Sequence, residues 1–187
     1  MRPSHANVQF DPEEVGASEA KQWKAYYNKD FEGLMRELVH FLRKTYPLSS
    51  DQATSIAQLM GEAALIFSKT TSNYEVFVLP SLVKAYTKLQ EATRSQWNAE
   101  KVARAELAWW VARRTPERNS PKQVGTLISQ LYTEIYGKSN EHILRAGLLR
   151  AEAAHQRDLA AKSGTPDWEA IQKTLIESYT ALKKGVN

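Results

Sequence analysis

Apolar residues recur along most of the chain at the three- and four-residue spacing of an amphipathic α-helix. Between residues 31 and 45, for example, Phe31, Leu34 and Leu38 fall on one side of a helix. Residues that begin or end helices separate these periodic segments, such as Asp11-Pro12 before the first and Gly164-Thr165-Pro166 before the last. The pattern therefore predicts an all-α fold, a single-domain bundle of seven or eight helices with short connections and no sheet.

The domain organisation predicted from the chain is simple. Residues 1–10 show no helical period and are interpreted as an N-terminal arm, whereas residues 11–187 are predicted to form a single helical domain, since no low-complexity linker interrupts them. Residues 74–79 are ambiguous, because their apolar run fits an extended segment as well as a helix. We favour a helix, because no second strand exists with which a lone strand could pair.

The segment from Ala105 to Arg114 is the most unusual in the chain, because it places Trp109 and Trp110 side by side. As part of a helix that begins after Asn98, this segment is apolar over most of its circumference, so we expect the bundle to be arranged around a central Trp-Trp helix. Glu106 and Arg113 would then be partly out of water, where a charge needs a partner. Their two-turn spacing allows a direct pair without requiring one.

Composition and charge exclude several classes of protein. The chain has no cysteine, which excludes disulfides and thiolate metal sites, and no apolar run near the ~20 residues of a membrane span. No signal peptide is recognised, so a cytoplasmic location is expected. The net charge of +4 invites a nucleic-acid hypothesis, but basic residues are scattered among acidic ones and no run of five occurs. We therefore expect no nucleic-acid partner.

A group of inward polar and aromatic residues supplies the candidate binding site. It forms if the Trp-Trp helix packs on the helix that contains residues 144–159. One interpretation is a purely structural network of arginines and carboxylates; the other is a pocket for an acidic or aromatic ligand, with Arg113 or Arg114 as anion clamp and aromatic walls. The candidate ligand-binding residues are Glu106, Trp109, Trp110, Arg113, Arg114, Tyr132, Glu152, His155 and Asp158.

A metal centre is the alternative chemistry. Glu-x-x-His occurs at residues 37–40 and 152–155, and two such motifs with two further glutamates, here Glu62 and Glu106, resemble the di-iron or di-manganese site of ferritin-like bundles. Such a protein would be an oxidoreductase. However, His40 points away from the apolar side of its helix, so this alternative is restricted to Glu106, Glu152 and His155 as metal ligands.

Three segments resemble a group of uncharacterised bacterial all-helical proteins: residues 105–114, residues 149–153 with Arg157-Asp158, and Pro166-Asp167-Trp168. The resemblance implies a bacterial, helical, cytoplasmic protein and no particular activity. Phosphate-binding glycine loops, nucleophile elbows and His-Glu-x-x-His motifs are absent from the sequence. We therefore predict a non-enzymatic binding module without a cofactor, for a protein partner or a small ligand, and leave a homodimer open.

Overall fold

The computed structural model describes residues 9–187, which contain nine α-helices, one 3₁₀ turn and no β-strand. In chain order the α-helices are α1 (Pro12–Tyr27), α2 (Phe31–Thr45), α3 (Ser50–Lys69), α4 (Tyr74–Phe77), α5 (Leu79–Thr93), α6 (Ala99–Arg114), α7 (Pro121–Tyr136), α8 (Glu141–Ser163) and α9 (Trp168–Val186). The predicted all-α, single-domain fold without a sheet is confirmed. No helix in this range is both long and apolar enough to cross a membrane.

Local sequence signals account for where the helices begin. Seven of them start after a side chain that accepts a backbone N–H of the first turn, which satisfies a donor that the helix itself leaves free. These caps are Asp11, Asp30, Ser49, Asn98, Ser120, Asn140 and Asp167. Residues 74–79 are helical except at Val78, so the favoured helix is interrupted there: α4 is a single turn, and Pro80 lies in the first turn of α5, where its missing N–H costs no hydrogen bond.

The eight long helices form a closed ring. Each one packs most extensively on the long helix before it and the long helix after it, and α9 closes the ring by packing on α1. Because the connections are short, neighbouring helices run antiparallel. The Trp-Trp helix, α6, therefore takes one place in this ring, between α5 and α7, instead of its axis. It is apolar on most sides because it has a neighbour on each flank and turns Trp109 toward the interior.

Small residues bring α7 and α8 close together. A Cβ atom added to Gly147 would lie 2.3 Å from the carbonyl oxygen of Gly125, and one added to Gly125 would lie 2.7 Å from Cα of Leu148. Both glycines are therefore required by the backbone contact. Leu144 and Leu159 lie outside this contact and are 43% and 51% exposed.

The predicted N-terminal arm is only partly covered, because residues 1–8 lie outside the described residues. At its end, Phe10 is buried and packs edge-to-face on Tyr179 of α9, with 6.0 Å between the ring centroids. Phe10 thus belongs to the main core, next to the junction where α1 and α9 close the ring.

Candidate functional site

The ring encloses a cavity of about 380 Å³ to which each of the eight long helices contributes side chains. This volume falls within the roughly 300–1,000 Å³ that small-molecule sites occupy. An apolar belt surrounds its middle, formed by Leu34, Leu38, Phe41, Leu42, Met60, Ala64, Leu82, Leu89, Leu131, Ile135 and Leu182.

The two ends of the cavity differ in exposure. At one end, where α1, α6 and α8 finish, the lining residues Tyr26, Tyr27 and Asp158 are half-buried, and Arg114 is exposed. At the other end, Tyr136, Tyr179 and Leu182 are buried, Tyr46 and Ile135 are half-buried, and no lining residue is exposed. We call the first the open end and the second the closed end; a ligand would reach the apolar belt through the open end.

A buried ion pair crosses from α1 to α8 inside the ring. Arg150 Nε donates to Glu19 Oε1 at 2.8 Å, and a second guanidinium nitrogen donates to the same oxygen. The Tyr179 hydroxyl donates to Glu19 Oε2 at 2.7 Å, so both carboxylate oxygens are occupied. The Arg150 guanidinium also lies 4.9 Å from the centroid of the Trp109 ring. Desolvation of the buried guanidinium lowers the pKa of Arg150, but the negative charge of Glu19 raises it. The pKa of Arg150 is therefore well above its usual range.

Glu106 is the second buried carboxyl of the cavity, and no guanidinium in residues 9–187 forms an ion pair with it. Its oxygens accept hydrogen bonds from Trp110 Nε1 at 2.8 Å and from the Tyr86 hydroxyl at 3.1 Å. Burial raises the pKa of this carboxyl, an effect opposed first by the positive charge of Arg150. The direct pair between Glu106 and Arg113 that the sequence allowed is not formed.

Five tyrosines surround the closed half of the cavity. Burial raises the pKa of Tyr132 to about 12 and that of Tyr46 to about 12. It raises the pKa of Tyr86, Tyr136 and Tyr179 well above the usual range. These hydroxyls therefore remain protonated near neutral pH, and each can donate a hydrogen bond as well as accept one.

Three buried polar atoms of the cavity wall have no hydrogen-bond partner within the described part of the chain: Gln22 Nε2, Trp109 Nε1 and the Tyr132 hydroxyl. The Trp109 indole N–H lies near the Glu106 carboxyl, but the two groups do not form a hydrogen bond. The Tyr132 hydroxyl lies beside Ser178, whose own proton goes to the Ala146 carbonyl at 2.8 Å. Since buried polar groups are normally paired, these atoms mark the wall where an acceptor atom of a ligand would be stabilised.

Arginines bridge non-neighbouring helices at the open end. Arg113 of α6 binds both oxygens of Asp158 on α8, at 3.0 and 2.8 Å, and also donates to the Tyr27 hydroxyl of α1 at 3.1 Å. Arg157 donates to the same Asp158 at 3.0 Å, and its guanidinium stacks 3.2 Å from the centroid of the Tyr27 ring. One carboxylate is thus shared by two guanidinium groups.

Arg114 extends this arrangement toward α3. It donates to the carbonyl oxygens of Phe67 and Thr70 at the end of α3, at 2.6 and 3.1 Å, and stacks 3.7 Å from the Phe67 ring. These partners carry no net charge. The open end, counted with Arg157, therefore holds three guanidinium groups and one carboxylate, which gives it a net positive charge.

Seven of the nine residues singled out from the sequence line the cavity: Glu106, Trp109, Trp110, Arg113, Arg114, Tyr132 and Asp158. Glu152 and His155 do not, because on a helix Glu152 lies about 200° around from Arg150, which faces inward. The helices α6 and α8 are not neighbours in the ring, because α7 lies between them, so Arg113 reaches Asp158 through its long side chain.

The residues of the alternative di-metal centre are separated in the structure. Glu106, Glu152 and His155 do not come together, and no group of three or more histidine or acidic side chains in residues 9–187 is arranged to hold a metal ion. The repeated Glu-x-x-His spacing is a local coincidence, since spacing along one helix does not determine which side faces the interior.

Several residues that line the cavity were not predicted from the sequence, above all Glu19, Gln22, Tyr86 and Arg150. For Arg150 a signal existed. It lies one turn from Ala146 and Ala154, and a long side chain on a face of small residues is buried when another helix packs there. For Tyr86 and Glu19 no local signal distinguishes a residue that lines a cavity from one that fills a core.

Comparisons with known proteins give no further guide: no protein-family model, no curated protein and no solved structure matches this chain. The function must therefore be argued from the geometry of the cavity.

Proposed function

We propose that the protein binds a small, mostly apolar molecule inside its ring of helices and acts by holding that molecule. The observation that carries this proposal is the cavity of about 380 Å³, in whose wall three buried polar atoms lack partners. A well-packed helical protein leaves few voids larger than a water molecule, so an interior space of this size needs an explanation. A bound molecule provides one, because it fills the space and supplies the missing hydrogen-bond partners.

The wall favours a neutral ligand group with an acceptor oxygen beside Gln22 and Trp109, such as a ketone, an amide carbonyl or an ether. The Gln22 amide nitrogen and the Trp109 indole nitrogen can only donate, so they require an acceptor. A carboxylate is disfavoured there, because two carboxyls, Glu19 and Glu106, already surround the single guanidinium of Arg150. The apolar belt would contact the hydrocarbon or aromatic body of the ligand.

We favour a small ligand over a protein partner on the basis of the outer surface. In residues 9–187 five large apolar side chains are exposed, and they occur singly or in one pair on α2, α4 and α8, as on an ordinary surface. They are Phe31, Val76, Phe77, Leu144 and Leu159. A homodimer, a bacterial cytoplasmic location and the lack of a nucleic-acid partner stay predictions from the sequence.

The test uses prodan, a naphthalene with one ketone whose emission shifts to the blue in an apolar site. We expect saturable binding to one site per chain, and weaker binding to Ala64→Phe, which extends a phenyl group into the apolar belt. Ala161→Phe, at an exposed position of α8, adds the same group outside the ring and should leave the affinity unchanged. Tyr132→Phe, which removes an unpartnered hydroxyl, should weaken binding of the ketone.

Two results would overturn the proposal. One is an absence of saturable prodan binding to the folded wild-type protein. The other is equal affinity in Ala64→Phe and wild type when circular dichroism shows that both are folded, because prodan would then lie outside the ring.

A further inference from the structure

The arginine cluster at the open end is not explained by an apolar ligand alone. From it we infer that the ligand is an amphipathic organic anion, whose apolar body lies in the belt and whose carboxylate or similar acidic group is bound at the open end by Arg113 and Arg157. This inference rests on the proposed function and specifies the class of ligand.

The Asp158 carboxylate already occupies the position in which Arg113 and Arg157 would bind the acidic group of a ligand. Its carboxylate accepts two hydrogen bonds from one nitrogen of Arg113 and one from Arg157, and Tyr27 stacks on the second guanidinium. Arg113 and Asp158 both line the cavity, whereas Arg157 does not and borders it through Asp158. Guanidinium groups form their strongest contacts with carboxylate and phosphate oxygens, and these two are already held in place by Tyr27.

Asp158 can give up this position. Its side chain is 38% exposed, so it can turn toward water when another anion takes its place, whereas the side chains of Arg113 and Arg157 are only 18% and 20% exposed. Among residues 9–187, the Nε atom of Arg157 has no partner, and the Nε and Nη1 atoms of Arg113 make no hydrogen bond. The two arginines therefore retain donors for an incoming acid.

The distribution of charge also favours an acidic ligand group at the open end and not at the closed half. The open end, counted with Arg157, holds three guanidinium groups against one carboxylate, whereas the closed half holds Glu19 and Glu106 against Arg150 alone. An anionic group would thus be attracted at the open end and repelled at the closed half, which fixes the direction in which the ligand lies.

The test compares two probes that differ by one acidic group: N-phenylnaphthylamine, which is neutral, and anilinonaphthalene sulfonate. Wild-type protein should bind the sulfonate more tightly. Arg113→Gln should lower the affinity for the sulfonate about tenfold, the effect of losing one hydrogen bond to a charged group, and leave that for the neutral probe within about twofold. Asp158→Asn should raise the affinity for the sulfonate, because it removes a competing charge; a purely structural role of Asp158 gives no such gain.

Arg104→Gln is the matched control, since it removes an exposed guanidinium from the outer side of the same helix. It should not change the preference between the probes. Failure of prodan and of both naphthylamine probes to bind would overturn the proposed function and this inference with it. Binding of the neutral probe without a preference for the sulfonate, or equal losses in Arg113→Gln and Arg104→Gln, would overturn the inference alone. If Arg113→Gln does not fold, Asp158→Asn provides the test. An affinity of this variant for the sulfonate no higher than that of wild type would overturn the inference.

Discussion

Glu19 and Arg150 form an ion pair between two helices that are not neighbours in the ring, since α9 lies between α1 and α8. The side chains are 3% and 12% exposed. In such a position the attraction between the charges must offset the loss of hydration of both, and the remaining carboxylate oxygen must find a donor, which Tyr179 supplies. The pair therefore holds the two sides of the cavity in a fixed relationship.

Removal of one partner should leave the other charge buried and alone. We expect Glu19→Ala to lower the free energy of unfolding by about 3–5 kcal/mol. The control is Glu14→Ala on the same helix, which breaks an exposed pair with Lys44 and should cost no more than about 1 kcal/mol. Urea denaturation of the three proteins measures both values, and similar losses in the two variants would contradict a buried pair.

The sequence predicted helices well because the signals that begin them are local. Asn98 and Ser120 each bond to a backbone N–H three residues later, so the cap can be recognised without knowing the fold. The inward side of α6 could also be predicted, because Glu106, Trp110 and Arg113 share one side of that helix.

The ring and half of the site could not be predicted, because they depend on contacts between distant residues. Glu19 and Arg150 are 131 positions apart, and nothing in either segment indicates the other. A helix that is apolar on most sides also fits two arrangements equally well: the centre of a packed bundle, or a wall with a neighbour on each flank and a cavity inside. Only the packing of all eight helices distinguishes them.

A pH-dependent stability is expected from Glu106. Its pKa is raised above 4.5 in the folded protein, so the folded state binds the proton more tightly than the unfolded state does. The contribution of this carboxyl to stability is therefore greatest at low pH and falls as the pH rises through its folded pKa. Relative to Glu106→Gln, wild type should lose about 1.4 kcal/mol for each unit by which the pKa is raised.

Chemical denaturation of wild type and Glu106→Gln at a series of pH values measures this difference. Glu100→Gln, at an exposed position of the same helix, controls for loss of a charge without burial. Parallel stability curves for wild type and Glu106→Gln would show that the Glu106 carboxyl is not desolvated in the folded protein.

The close contact of α7 with α8 predicts an unusual response to alanine. Alanine is normally the better helix former by about 1 kcal/mol, but in Gly147→Ala the new methyl group would meet the backbone of α7 at Gly125 and Ser129. We expect a net loss of about 1–3 kcal/mol, as for overpacked cores. Gly164→Ala should be tolerated, since no atom lies within 4 Å of the added Cβ. Thermal denaturation that shows Gly147→Ala as stable as wild type would contradict this helix contact.

The buried tyrosines predict an alkaline titration that depends on folding. Tyr46, Tyr86, Tyr132, Tyr136 and Tyr179 all have raised pKa values because their hydroxyls are out of water. At least these five of the eight tyrosines should therefore remain largely protonated at about pH 11 while the protein stays folded, whereas all eight should ionise near pH 10 in denaturant. Tyrosinate absorbance measures the number ionised, and circular dichroism at the same pH shows whether the ring is intact. Ionisation of more than three tyrosines in the folded protein would mean that water reaches the closed end, and the cavity would then be open at both ends.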